Sequence, residues 1–329
     1  MVKTKILLLC GGGSAEHEIS LISANYVQSQ LELTPEFEVV RVEMKPNGWF
    51  DKDDLVYLDT NAGTLNSEMS TTKIDFVIPC IHGFPGETGD IQSMLELANI
   101  PYLGCGPEAS NNSFNKITSK LWYDTLGIPN TPYIFLSENN KQAYNKAESA
   151  FKEWGSVFVK AARQGSSVGC YKVESLEQLQ QAINDAFGYS DQVLIEQAIT
   201  PRELEVAAYE YQGQLHLTPP GEIKAPKNSF YSYKEKYSSD SHSKTDVEAT
   251  DLTQEQRDTI QHACEKVFTQ MQLRHLSRID FFLTPEGKVY LNEVNTFPGM
   301  TPISMFPKMV EQSGVQIRDF LADCVKRAR

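Results

Sequence analysis

Arg278-Ile-Asp280 and Leu291-Asn-Glu-Val-Asn295 lie in two apolar runs, Leu276 to Leu283 and Val289 to Val294, separated by Thr284-Pro-Glu-Gly-Lys288. Runs of this length closed by a Pro/Gly turn read as two adjacent strands. Alternation places Arg278 and Asp280 on one face and Glu293 and Asn295 on one face, with Ile279 and Val294 pointing the other way, and apolar Leu291 is read as pointing with them. Polar groups facing inward on otherwise apolar strands are costly unless they are paired or bound to a metal. Asp, Glu and Asn oxygens are the ligands magnesium prefers, with nucleotide phosphates completing the octahedron. A solvated sheet face carrying an Arg–Asp pair fits the same residues, so the surrounding chain has to decide.

Outward toward the N-terminus, Glu203 to Tyr211 and Gln192 to Gln197 read as strands, and Thr253 to Met271 and Leu176 to Phe187 as helices. Strand Ser156 to Ala161 carries Lys160 near its end and runs into Arg163-Gln-Gly-Ser-Ser-Val-Gly169. A Gly/Ser turn between strands exposes backbone N–H groups that can wrap phosphate oxygens. It is not a P-loop, and Gly11-Gly-Gly-Ser-Ala-Glu16 is not a dinucleotide fingerprint. Lys116 opens a helical segment running to Gly127; a lysine alone is ordinarily a solvated charge.

The first hundred residues alternate strands (Ile6 to Cys10, Phe37 to Met44, Asp75 to Cys80) with helices (Glu18 to Leu31, Gly89 to Ala98), the order of a parallel α/β sheet. Ligands bind outside the carboxyl ends of such strands. Glu16 and His82 both follow strand ends and are candidates to face one crevice. Two amphipathic segments close the chain between Phe306 and Arg327. Three domains are expected, 1–104, 105–196 and 197–329. Gly221 to Thr250 is too long and too polar for a connector, which suggests a lid.

A chain of 329 residues exceeds one ordinary core. With 30 Lys+Arg against 43 Asp+Glu, its net charge of -13 repels nucleic acid at long range, so that partner is not expected. A nucleotide can still bind where lysines and a metal neutralise its phosphates locally. The six scattered cysteines have no CxxC pair and suggest reduced thiols. The apolar stretch Ile6 to Cys10 is too short for a signal-peptide core, and no run approaches a membrane span, so a cytoplasmic protein is expected.

Six stretches, in order and spacing, carry a resemblance: Gly11 to Ser20, His82-Gly-Phe-Pro-Gly-Glu-Thr-Gly89, Lys160 to Gly169, Phe230 to Tyr237, Arg278 to Leu283, and Asn292 to Ser304. Across nearly its whole length the chain resembles the D-alanine:D-alanine ligases of the ATP-grasp superfamily. The resemblance implies an α/β fold, α+β in the ATP-binding part, with an N-terminal parallel-sheet domain. It implies ATP as substrate, two Mg2+ or Mn2+ ions held by Asp280, Glu293 and Asn295, and D-alanine in two subsites of a homodimeric enzyme of peptidoglycan precursor synthesis. Lys116, Lys160 and the loop with Ser166 and Ser167 would hold phosphates. Glu196, Gln197 and Ile199 would read adenine, and Glu203 the ribose. Glu16 would hold the first ammonium, with His82 near its carboxylate. Arg278 and Gly299 would stabilise the oxyanion, Ser304 and Met305 would seat the second D-alanine, and Lys236 and Tyr237 would belong to the lid.

The family often has proline after the central lysine and glutamate before the Gly-Ser-Ser turn, where this chain has Ala161 and Gln164. A relative making D-alanyl-D-lactate or D-alanyl-D-serine is the near alternative; Tyr237 stands where the lactate branch carries histidine. A nucleotide-binding module without catalysis is the alternative from another class, and the retained Arg278, Asp280, Glu293 and Asn295 argue against it.

Overall fold

The computed structural model describes residues 3–224 and 244–328. Lys236, Tyr237 and the middle of the expected lid lie outside the described residues.

The first sheet is built from β1 (Thr4–Gly11), β2 (Phe37–Lys45), β3 (Gly48–Asp51), β4 (Asp54–Asp59), β5 (Thr64–Asn66), β6 (Thr71–Lys73) and β7 (Phe76–Pro79), with α1 (His17–Leu31) after β1 and α2 (Asp90–Leu97) after β7. Strand order is β6-β5-β4-β3-β2-β1-β7. β1 runs parallel to β2 and β7. Residues Ile6 to Cys10 are wholly buried because both faces are covered. Ile6 and Leu8 pack with Val27 and Leu31 of α1, while Leu7 and Leu9 pack with Ile91 and Leu95 of α2.

The three strands read from the sequence are parallel as expected, and between residues 48 and 73 the chain adds an antiparallel meander that was not read. Two-residue loops explain it: Lys45 pairs with Gly48, and Asp51 with Asp54. Such short loops permit only antiparallel return. Their strands are short and half-exposed, so the apolar alternation was too weak to read.

The second sheet follows α3 (Pro107–Phe114) and α4 (Lys116–Thr125). It comprises β8 (Tyr133–Leu136), β9 (Val157–Ala161), β10 (Cys170–Val173) and β11 (Val193–Gln197), in order β10-β9-β11-β8 and antiparallel throughout. Its core includes Ala147 and Phe151 from α5 (Lys141–Trp154) and Leu179 and Ile183 from α6 (Leu176–Phe187). Helix α5 escaped the sequence reading because only Ala147, Ala150 and Phe151 of its fourteen residues are buried.

The third sheet holds β12 (Arg202–Tyr211), β13 (Gln214–Leu217), β14 (Gly221–Lys224), β15 (Lys244–Asp246), β16 (Leu276–Leu283) and β17 (Val289–Asn295), with α7 (Gln254–Gln270) between β15 and β16, and α8 (Met305–Gln312) and α9 (Ile317–Arg327) at the end. The 221–250 segment is therefore not structureless at its ends: β14 and β15 pair antiparallel, Glu222 opposite Asp246. Helices cross between the sheets. Ala109 of α3 and Tyr123 of α4 share a core with Ile279 and Val294 of the third sheet. Phe306 of α8 and Phe320 of α9 share one with Ile6 and Leu8 of the first.

Candidate active site

The three sheets enclose a cavity of about 660 Å³. Its floor is the β16–β17 pair. Arg278 lies opposite Asn295 and Asp280 opposite Glu293, so all four project from one face as alternation requires. Strict alternation would nevertheless have put Leu291 on that same face. A bulge between Asp280 and Phe281 pairs Phe281 with Leu291, skips Asn292, and reverses the phase. Leu291 and Val294 can then both be buried, while Asn292 and Glu293 both line the cavity.

The floor is strongly polarised. The Arg278 guanidinium donates to both Asp280 oxygens, Nε to Oδ1 at 2.8 Å and a terminal nitrogen to Oδ2 at 2.7 Å, and lies 3.3 Å from Glu205. Burial works against its charge, but Asp280 and Glu205 hold its pKa well above the ordinary arginine value. Asn295 Nδ2 donates to Asp280 Oδ2 at 3.0 Å. Glu205, one turn of alternation before Ala207 on β12, was not foreseen. Its signal was the acidic pair Glu203 and Glu205 just before the apolar stretch Val206 to Tyr209. Glu203 lines the cavity beside it.

Among the described residues no three His, Cys, Asp or Glu side chains gather as a metal cluster. The donor set nevertheless fits magnesium: Asp280 and Glu293 face each other across the strands with the Asn295 amide alongside, and substrate phosphate oxygens and water would supply the remaining ligands.

The second sheet and helix α4 supply the cations. Lys116 donates to the Gln164 carbonyl, and burial pushes its pKa below the ordinary lysine value, opposed by Glu293 and reinforced by Lys160. Glu196 carries two ion pairs: Lys160 closes on Oε2, and Lys120 reaches Oε1 at 2.7 Å. Burial alone would raise the Glu196 pKa, but the two lysines bring it down to about 2. Burial works against the Lys160 charge, yet Glu196 raises its pKa. Gln197 and Ile199 follow on β11 and beyond. The Gln197 N–H is committed to the Pro132 carbonyl and that of Ala198 to Ser156, so neither is open to a ligand.

Between β9 and β10, Ser166 and Ser167 both adopt positive φ, 50° and 62°. The Ala161 N–H bonds Gly169 O and the Val168 N–H bonds Gly165 O, closing the turn. Ser166 Oγ donates to Glu16 Oε1, which ties this turn to the loop after β1. Glu16 is buried. A Cβ at Gly83 would stand 2.6 Å from its Oε2, and one at Gly165 2.8 Å. Two glycines thus leave room for one carboxylate, so Glu16 and the His82 loop do share a crevice, as expected. His82 Nε2 lies 2.9 Å from Ser23 Oγ and its Nδ1 3.6 Å from Glu87 Oε1. Burial pushes the Glu87 carboxyl up, with His82 opposing and Glu16 reinforcing.

At the far end, Ser304 occupies the N-cap position of α8, and its Oγ accepts the Thr301 N–H at 3.2 Å. A Cβ at Gly299 would come 2.9 Å from that oxygen, so the chain passes tightly here. Met305 opens the helix and is buried. Ser304, Met305 and Gly299 all line the cavity. Of the expected site residues that are described, only Gln197 and Ile199 fall outside its lining. Lys120, Glu205 and Glu87 belong to it and were missed.

The family model for the D-ala D-ala ligase N-terminus matches residues 5–105, and that for the D-ala D-ala ligase C-terminus matches residues 122–326. A D-alanine–D-alanine ligase of Vibrio cholerae serotype O1 is 68% identical over 326 residues, covering 99% of each chain. The crystal structure of D-alanyl-alanine synthetase A from Vibrio cholerae O1 superposes with a TM-score of 0.96 at 67% identity, covering 100% of this chain and 99% of that one. The D-alanine-D-alanine ligase structure from Aeromonas hydrophila gives 0.84 at 49% identity, covering 97% and 99%. Alike in sequence, in backbone and in extent, the chain belongs to the D-alanine–D-alanine ligase family, with its ATP-grasp fold.

Proposed function

We propose that this protein joins two D-alanine molecules at the expense of ATP, and that the residues lining the cavity act as follows. Lys116, Lys160 and the Ser166–Ser167 turn hold phosphate oxygens, with Glu203 on the ribose and Glu196, Gln197 and Ile199 near the base. Glu16 binds the ammonium of the first D-alanine, and His82 stands near its carboxylate. That carboxylate oxygen attacks the γ-phosphorus, and ADP leaves. The amine of the second D-alanine, seated by Ser304 and Met305, attacks the acyl carbon of the resulting D-alanyl phosphate. Arg278 and the Gly299 N–H stabilise the oxyanion, and inorganic phosphate leaves. Two Mg2+ or Mn2+ ions on Asp280, Glu293 and Asn295 would offset phosphate charge when bound. Lys236 and Tyr237 would complete the cover over the site.

The observation that carries this reading is the face shared by Arg278, Asp280, Glu293 and Asn295, opposite a wall of lysines and next to a glycine-framed Glu16. The same reading proposes three domains, 1–104, 105–196 and 197–329, each centred on one sheet, a homodimer, and a cytoplasmic site of action in peptidoglycan precursor synthesis. No helix among the described residues is long and apolar enough to cross a membrane. The test is phosphate release from ATP and magnesium with D-alanine, L-alanine, D-serine and D-lactate offered singly. Release should require D-alanine. Release of equal rate without any amino acid would leave only a nucleotide hydrolase.

A further inference from the structure

Lys120 is 2% exposed, and nothing in its sequence surroundings marks it as functional. Its ammonium has three N–H groups and meets three acceptors: Glu196 Oε1 at 2.7 Å, Asn130 Oδ1 at 3.0 Å and the Thr131 carbonyl at 3.1 Å. None remains for a phosphate. Lys160 takes the other oxygen of Glu196 and is the more exposed of the two lysines, its side chain 16% exposed against 3%. Glu196 is therefore a buried anion with two cations, of which Lys160 is the more open to the cavity.

A nucleotide phosphate would draw Lys160 away from Glu196. With Lys160 as sole counterion, that move would strand a buried carboxylate, which is strongly disfavoured. With Lys120 in place, an ion pair stays behind. We propose that Lys120 is a positioning residue for the nucleotide: it keeps Glu196 charged and fixed, so that Lys160 is free to pass to a phosphate oxygen. Its scaffold suits the task. Asn130 and Thr131 lie between α4 and β8, and the Leu291 N–H on β17 bonds the Pro129 carbonyl beside them. Lys120 thus links Glu196 on the second sheet to a segment fastened to the third, across the cleft where phosphates would lie.

This inference rests on the reading of Lys160 as a phosphate ligand. The experiment compares the full chain with Lys120→Met and with the charge-conserving Lys120→Arg, measuring KM for ATP, KM for D-alanine, the inhibition constant of adenosine, and Tm. Lys120→Met should raise KM for ATP by about tenfold or more while KM for D-alanine and the adenosine constant stay within about twofold, because Glu196 then holds Lys160 away from the phosphates. Lys120→Arg keeps the second cation and should bring KM for ATP to within about threefold of the unmodified protein. Equal rises in all three constants, an unchanged KM for ATP in Lys120→Met, or a Lys120→Arg variant no better than Lys120→Met would overturn the proposal. If Lys120→Met does not fold, Lys120→Arg decides alone: KM for ATP within about threefold supports the proposal, and a rise of about tenfold overturns it. The unmodified protein is the control for the function itself, since its failure to turn over ATP with D-alanine would sink the ligase reading and not this one.

Discussion

At the scale of single residues, the site is a set of charges that are each costly alone. Arg278, Asp280 and Glu205 offset one another, as do Glu196, Lys120 and Lys160. Glu293 stands opposite Asp280 and is the carboxylate proposed to be shared by both metal ions. Glu293→Ala should cut kcat by roughly a thousandfold while Tm stays within a few degrees, since several kcal/mol of transition-state stabilisation is lost. Near-normal turnover at saturating magnesium would remove the metal assignment. Gly165→Ala tests the first subsite. Its φ is unexceptional, but the added methyl would press on Glu16 Oε2 from 2.8 Å. KM for D-alanine should rise by about tenfold with KM for ATP little changed, as a displaced carboxylate loses its ammonium contact worth about 1.5 kcal/mol. A change confined to ATP would place Glu16 elsewhere. These residues were legible in the sequence where polar side chains interrupt apolar strands, as with Arg278 and Asp280. Lys120 and Glu87 were not legible, because their roles depend on partners 76 and 5 positions away that only folding brings into contact.

At the scale of elements, the long buried strands and the strongly periodic helices were read nearly to the residue: β16 and α6 match the expected bounds. The meander after β2 was lost because its strands bury too little, and α3, because its eight residues Pro107–Phe114 carry few apolar side chains. The bulge at Asn292 could have been inferred, since Leu291 and Val294 are three apart yet both apolar, a spacing that regular alternation forbids. Helix α8 makes its own prediction. Its N-terminal N–H groups begin at the cavity, where they can meet a carboxylate. Ser304→Ala removes the acceptor of the Thr301 N–H as well as a proposed contact to the second D-alanine. It should raise KM for the acceptor several-fold and lower stability by about 1 kcal/mol, which steady-state kinetics at saturating first-site occupancy and urea unfolding would show. Loss of stability with no kinetic effect would make the Ser304 hydroxyl a purely structural partner of Thr301.

At the scale of the whole molecule, three sheets contribute different chemistry to one cavity: the first brings Glu16 and His82, the second, with helix α4 before it, Lys116 and Lys160 with the serine turn, and the third the carboxylates and Arg278. Such an assembly has a pH signature. The Glu196 pKa is depressed to about 2 from an ordinary 4.5, so its pairing stabilises the fold above the ordinary value and is lost as pH falls through that window. Glu196→Gln should be less stable at neutral pH, but should lose less of its stability than the unmodified protein between pH 4.5 and 2, measured by urea unfolding at each pH. Parallel losses in the two proteins would contradict the buried triad.

The cavity is proposed to activate one D-alanine carboxylate by phosphoryl transfer and to pass the acyl group to a second D-alanine. Incubation with ATP, magnesium and D-alanine carrying 18O in its carboxylate tests it directly, with mass analysis of both products. One D-alanyl-D-alanine should form per ADP, and the released phosphate should carry one labelled oxygen, because that oxygen leaves with phosphorus when the amide bond forms. Unlabelled phosphate, or ADP formation without dipeptide, would contradict it.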